Sequence, residues 1–444
     1  MHDVQNVPDP DVGRSETQPR SRGPSTRNIA LDYIRTLALL LMSLIHMWRD
    51  LLGRGAVDRV FLFAGETAPV FFFVAFGMTQ NRMVKKNASE VMRFVVLSGL
   101  IAVFQSYFLF SAAVWDFFPF LWAALLLVLL GNWLGLNHRQ FLLLSVAVLV
   151  VNMIRPLGVS LIGATLADGA FAQRLWLFPG GFFPLPWAVL VFLGFALGMQ
   201  YRPMPRDLVM AAAGMTVVVA LNVVVALRPD VPLAYRLTLS KWSATSPYLV
   251  FGCAEVLLAY AGLDYISRFS VTEKWVYPTT RFVSDNLMVG TVLHYLVLMC
   301  LTARFSSWWR LVNGVRTANW GIVLLLSIAN VVFLVGALKL LTRLWGMASQ
   351  RLHGVLGRLG IVPVALTAVA IWAVLRFGVG FVSFGFLKWT AYAAMLLLAL
   401  LYDYHRKQAR GAGETAESAA RVFTAVSRRT ECAAEVAGRA SPLR

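Results

Sequence analysis

Ile29-Ala30-Leu31-Asp32-Tyr33-Ile34-Arg35-Thr36-Leu37-Ala38-Leu39-Leu40-Leu41-Met42-Ser43-Leu44-Ile45-His46-Met47 is the stretch on which the reading of this chain turns. At about 1.5 Å per residue it is long enough to cross a hydrocarbon core of roughly 30 Å as one helix. Three ionisable groups sit inside it, and each is costly against lipid unless it faces a bundle interior. At roughly 100° per residue, the eleven steps from Arg35 to His46 return to nearly the same angle, while roughly 16 Å separates the two along the axis. Asp32 lies one turn below Arg35 on the same face. The stripe Asp32, Arg35, Leu39, Met42, His46 is therefore expected to look inward, offering an acid, a cation and an imidazole at different depths.

Outward from this helix the pattern repeats. The chain has 444 residues, of which 58% are hydrophobic and only 14% charged, against about a quarter charged in soluble domains. Further apolar runs lie near 60–79, 92–111, 117–136, 140–154, 183–200, 208–227, 246–263, 282–302, 320–342, 361–376 and 384–402. Short alternating strands, the mark of a membrane barrel, are not seen. The expectation is an all-α, polytopic integral membrane helical bundle of about 10–12 transmembrane helices. Residues 1–27 read as a disordered cytoplasmic leader with no apolar core of a signal peptide, 28–403 as the multi-span domain and 404–444 as a polar cytoplasmic tail. The segment about 155–182, with Pro156, Asp168 and Pro179, is a candidate substrate-facing lid. No internal repeat is visible, which lowers the expectation of an inverted-repeat transporter.

Charge orients the bundle. Arg14, Arg20, Arg22 and Arg27 precede the first span, and Arg82, Lys85, Lys86 and Arg93 follow the second, so both flanks are expected on the cytoplasmic side. Arg202, Arg206, Arg268, Lys274, Arg343, Arg351 and Arg358 continue the alternation, whereas Arg304, Arg310 and Arg316 run against it. Both termini are expected in the cytoplasm of a bacterial plasma membrane, and His46 toward the external side. The net charge of +18 then meets anionic lipid head groups rather than nucleic acid. Cys253 and Cys300 fall in apolar runs and Cys432 in the tail, so neither a disulfide framework nor a zinc-ligand spacing is present, and no metal is expected.

Several polar residues stand where lipid would not tolerate them. Asp32 and Arg35 read either as an ion pair at the cytoplasmic end or as groups of a site. His46 points to function, because imidazole is the side chain best suited to accept a proton near neutral pH. Glu66 lies between Gly65 and Pro69, where irregular backbone facing a cavity is expected. It either orients His46, as an acid orients a catalytic histidine, or pairs with Arg49, Arg54 or Arg59. The ninth span carries Ser284, Asp285, Asn286 and His294. Hydrogen bonding between helices explains Ser284 and Asn286 as well as catalysis does, while Asp285 and His294 point to function.

With these residues in view, the chain resembles the transmembrane acyltransferase superfamily, which includes the acyltransferase-3 family and the catalytic domain of heparan-α-glucosaminide N-acetyltransferase. Arg27-to-His46 is similar to the opening helix, where an Arg, ten intervening residues and a His form a recurrent motif, matched by Arg35 and His46. The usual Gly after that Arg is Thr36 here. Phe63-Ala64-Gly65-Glu66-Thr67-Ala68-Pro69 with Phe76-Gly77-Met78-Thr79 resembles the second helix of the heparan-type group. Phe183-Pro184-Leu185-Pro186-Trp187, with Gly194 and Gly198, resembles its proline-tryptophan span, and Ser246-Pro247-Tyr248 its serine-proline loop. Ser284 to Tyr295 looks like the terminal helix ending in a His, here His294. The heparan-type enzymes tend to have Asn where His46 stands and their catalytic His further on, but no His lies between Met47 and Glu66 in this chain.

The resemblance implies transfer of an acyl group, usually acetyl from a cytoplasmic coenzyme A thioester (acetyl-CoA as co-substrate), to a glycan or similar acceptor on the far side. It casts His46 and Glu66 as catalytic, and Arg35, Asp32, Asp285, Asn286 and His294 as groups for substrate or donor. Two other readings stay open: a proton-coupled secondary transporter or lipid exporter using Asp32, Glu66, His46 and His294 as a relay, and a scaffold or sensor whose buried charges are structural.

Overall fold

The computed structural model describes residues 27–51, 62, 65–84, 88–105, 117–162, 184–199, 204–227, 245–267, 269, 272–297, 320–351, 370 and 390–405. The leader before Arg27, most of the candidate lid, all but residue 370 of the span expected at 361–376 and the tail beyond 405 lie outside the described residues. Among the described residues every regular element is a helix and no strand forms. In chain order these are α1 (Ile29–Leu51), α2 (Ala68–Met83), α3 (Ala88–Val103), α4 (Phe117–Trp133), α5 (His138–Ile162), α6 (Pro184–Met199), α7 (Pro205–Leu227) and α8 (Ser246–Ile266). A π-turn (Thr272–Val276) leads into α9 (Tyr277–Asp285), followed by α10 (Leu287–Val297), α11 (Trp320–Arg351) and α12 (390–405).

Local chemistry sets the ends. Asn28 begins α1 by accepting the amide of Leu31 on its side-chain oxygen at 3.0 Å. Prolines open the first turns of α2, α8 and α9, where a missing N–H costs nothing. The span expected as one helix over 282–302 is broken at Asn286 into α9 and α10. Asn286 has left helical geometry (φ −110°, ψ 23°), and its side-chain amide donates to the Phe282 carbonyl at 2.8 Å. A side chain that competes for backbone carbonyls in this way is a recognised cause of a kink.

Among the described residues three helices are long and apolar enough to cross a membrane: Ile29–Trp48, Ser246–Ile266 and Val323–Arg351. Shorter apolar helices run over Phe117–Trp133, His138–Asn152, Pro186–Met199 and Leu287–Leu296. Their outward faces are apolar as well. Leu143 on α5, Met210 on α7 and Leu324, Leu325 and Val332 on α11 are all more than three-fifths exposed, a surface that water-soluble monomers rarely present.

With apolar surface on both sides of a helix, close packing rather than hydrophobicity holds neighbours together, and small residues make it possible. A Cβ at Gly77 of α2 would come 2.2 Å from the Val191 carbonyl of α6, and one at Gly194 of α6 would come 2.2 Å from the Val74 carbonyl of α2. Phe73 then stacks edge-on against Trp187 and Phe120, with centroids 5.1 and 4.4 Å away. Helix α1 lies against this core along its inward stripe, with Asp32, Leu39 and Met42 all buried. Gly290 of α10 lets Leu39 approach to where a Cβ would be 2.7 Å from its methyl group. Toward the far end of α1, Ser43 bonds Asn330 at 3.2 Å and Trp48 bonds Ser327 at 2.8 Å, tying α1 to α11.

Candidate functional site

The inward stripe of α1 ends in two polar layers. At its N-terminal end Asp32, only 2% exposed, collects donors from Arg27, which leads into α1, and from α9. Its Oδ2 accepts from Arg27 Nε at 2.5 Å and from the Tyr277 hydroxyl at 3.1 Å, and its Oδ1 from Ser284 at 2.6 Å and Arg27 Nη2 at 3.1 Å. Arg35 stands 3.9 Å from Oδ1. Arg27 grips Asp285 as well, Nη1 to Oδ2 at 3.1 Å and Nη2 to Oδ1 at 3.0 Å. Burial works against the charge on Arg27, but its bonds to the two carboxylates outweigh that and hold its pKa above the ordinary value. Arg35 donates to Ser284 Oγ at 3.3 Å and to Thr79 Oγ1.

This layer forms one wall of a cavity of about 220 Å³ between α1, α2, α3, α4, α9, α10 and α12. Arg27, Asp32, Arg35 and Asp285 line it together with Phe72, Phe76, Phe117, Phe118 and Met288, so a charged rim and an aromatic wall share one space. Asn286 and Gln80 line it too, as does Thr291.

The second layer is made of rings. His46 near the end of α1 and His294 of α10 lie 5.5 Å apart, centroid to centroid, with planes 15° from parallel. Tyr295 contacts both, at 5.9 Å from His46 and 4.1 Å from His294, and stacks on Tyr392 of α12 at 5.7 Å. His294 is 1% exposed. Its Nδ1–H donates to the carbonyl of Thr291, which in that tautomer leaves Nε2 as a lone pair. Among the described residues Nε2 has no hydrogen-bond partner. Thr291 therefore joins the two layers: it lines the cavity, and its backbone carbonyl holds the His294 ring at Nδ1.

The expected site residues thus fall into two sets. Asp32, Arg35, Asp285 and Asn286 share the cavity, and His46 and His294 share the stack. Glu66 joins neither: among the described residues its side chain makes no hydrogen bond to His46, and its backbone carbonyl accepts the Tyr248 hydroxyl at 2.8 Å. The side chains of Arg49, Arg54 and Arg59 lie outside the described residues. Asp32 and Arg35 do stand near one another, but the stronger partner of Asp32 is Arg27. Arg27 had been read from the sequence only as a basic flank. Its position five residues before Asp32, where the chain enters α1, was the available signal. Tyr295 follows His294 directly in the sequence, which was its available signal. Glu255 was missed altogether, although it is an acid in the middle of the apolar span Ser246–Ile266. Among the described residues no cluster of three or more His, Cys, Asp or Glu is placed to hold a metal.

Comparison of the chain with family models, with curated proteins and with solved structures finds no match.

Proposed function

We propose that this is a polytopic membrane acyltransferase moving an acyl group, acetyl by the resemblance stated above, from a cytoplasmic coenzyme A thioester to a hydroxyl or amino group of a glycan or similar acceptor at the external face. The observation that carries the reading is the pairing of a charged and aromatic cavity at one end of α1 with a stacked imidazole pair at the other, joined through Thr291. An acyl thioester is an amphiphile, and such a cavity suits its polar arm and its apolar acyl end.

In the reaction His46 takes the proton from the acceptor as its oxygen or nitrogen attacks the thioester carbonyl. The carbon–sulfur bond breaks, and the departing thiolate receives that proton from the imidazolium, so the products are the acyl ester or amide and free coenzyme A thiol. Arg35, roughly 16 Å along the helix axis from His46, holds a phosphate or other donor oxygen away from the reacting carbonyl. Asp32 and Asp285, both engaged with Arg27, set the rim rather than exchange protons. The segment that carries Glu66 packs at Gly65 against Ile45, beside His46, and supports that end of α1. The basic flanks support about 10–12 spans with both termini in the cytoplasm.

The buried lone pair of His294 also suits a proton relay, as the transporter or exporter reading requires. Purified protein in nanodiscs decides between them. The acyltransferase predicts thiol release from acetyl-CoA that depends on added acceptor, and proton-coupled flux in liposomes with no thioester consumption would replace it by the transporter.

A further inference from the structure

Glu255 sits in an apolar span with no cationic partner among the described residues, and the chemistry above does not use it. Its carboxylate accepts a hydrogen bond from the hydroxyl of Thr67, and its Oε2 is buried without a hydrogen-bond partner among the described residues. Thr67 is the residue after Glu66 and immediately precedes α2.

The contacts around Thr67 form a pattern. Tyr248, Gly252 and Glu255 are spaced at four and three residues, so they share one face of α8. Each meets the start of α2. The Tyr248 hydroxyl donates to the Glu66 carbonyl at 2.8 Å, Gly252 admits Val70 to where a Cβ would be 2.9 Å from its methyl, and Glu255 holds Thr67. On the other side of the same segment, a Cβ at Gly65 would stand 2.7 Å from Cβ of Ile45, the residue before His46. Residues 65–67 are thus wedged between one face of α8 and the end of α1 that carries the imidazole. A solvated acid would gain nothing from this position, and a buried one is costly unless it is bonded.

We infer that Glu255 is a positioning residue: through the Thr67 hydroxyl it fixes the Glu66 segment against α1 and so sets the place and environment of His46. The inference rests on the acyltransferase reading only for its kinetic consequence. What the position requires is an acceptor for the Thr67 hydroxyl, which an amide oxygen supplies as well as a carboxylate.

The test has one arm that does not depend on catalysis. In protein carrying ¹⁵N-labelled histidine, with the His46 signals assigned by their loss in His46→Asn, the His46 ring shifts should move in Glu255→Leu and in Thr67→Val. They should return to the wild-type values in Glu255→Gln and Thr67→Ser. In the kinetic arm, Glu255→Leu and Thr67→Val should each lower acyl-transfer kcat on the order of 100-fold with donor KM unchanged. The double variant should be no worse than either single one, and Glu255→Gln near normal. Unmoved His46 shifts in Glu255→Leu would overturn the inference, as would a Glu255→Gln variant as impaired as Glu255→Leu, since the acid itself would then be needed. Wild-type protein without transfer activity, but with the expected shifts, would overturn the acyltransferase reading and leave the positioning role standing.

Discussion

The two ends of α1 solve the problem of polar groups in an apolar bundle in opposite ways. Around Asp32 every oxygen is claimed: two contacts from Arg27, one from Tyr277, one from Ser284, with Arg35 alongside. Around His294 one nitrogen is fixed by a backbone carbonyl and the other is left unbonded among the described residues, with a second imidazole stacked on the ring. A saturated network resists proton exchange and fixes geometry, because each member is held by several others. A stacked ring with one nitrogen unbonded among the described residues keeps an acceptor to spare. On the proposed function the charged layer holds and the ring layer does the chemistry, and each half of that proposal can be broken separately.

The largest effect expected from breaking the charged layer comes from Asp32→Ala. It strips Arg27 of its closest carboxylate and leaves Ser284 and Tyr277 without their acceptor. Removing one partner of a buried pair costs about 3–5 kcal/mol, so the variant should lose most of its thermal stability in detergent, along with any activity. A melting temperature close to wild type would mean that the layer does not hold the bundle.

Arg35→Lys should have a smaller and more selective effect. Lys keeps the charge but not the planar fork that reaches both Ser284 and Thr79. The expected outcome is a rise of about tenfold in donor KM, equivalent to roughly 1.4 kcal/mol, with the melting temperature little changed. Unchanged donor kinetics would remove Arg35 from the site and leave it a structural partner of Asp32. Smallest of the three is His294→Leu, which removes the stacking partner and the buried lone pair while keeping an apolar side chain of moderate size. Its net cost in stability should be about 0.5–1.5 kcal/mol, the size of one aromatic contact. Loss of the ring contacts with His46 and Tyr295 is partly offset by replacing a buried nitrogen, unbonded among the described residues, with an apolar side chain. A much larger loss in a chemical-denaturation series would show that the ring layer, too, is mainly structural.

Much of this arrangement was legible in the sequence because it depends on period and hydropathy. The stripe from Asp32 to His46 follows from the helical repeat, and the structure buries its apolar members. Helix positions from α3 to α8 fall close to the apolar runs, since solvent preference alone marks them. The break at Asn286 was not legible: whether an amide bonds its own helix or a neighbour is decided by what packs beside it, and apolar residues continue on both sides. Nor was the choice of Arg27 over Arg35 as the main partner of Asp32, because residues before a helix have no fixed angle around its axis. The His46–His294 stack joins residues far apart in sequence, and only the close approach of α1 and α10 at Gly290 brings them together. Glu255 is legible only as a single acid in a span that remains strongly apolar on average, a weak signal by composition.

The central claim, that the ring layer performs chemistry which the charged layer only supports, is tested most directly by His46→Ala. The measurement is acceptor-dependent thiol release from acetyl-CoA by the purified variant in nanodiscs, with its melting temperature recorded on the same sample. The account predicts that transfer is abolished while the melting temperature stays within a few degrees of wild type, because His46 lies near a helix end and Asp32, Arg27 and Asp285 remain bonded. Near-normal turnover in a folded His46→Ala protein would contradict it.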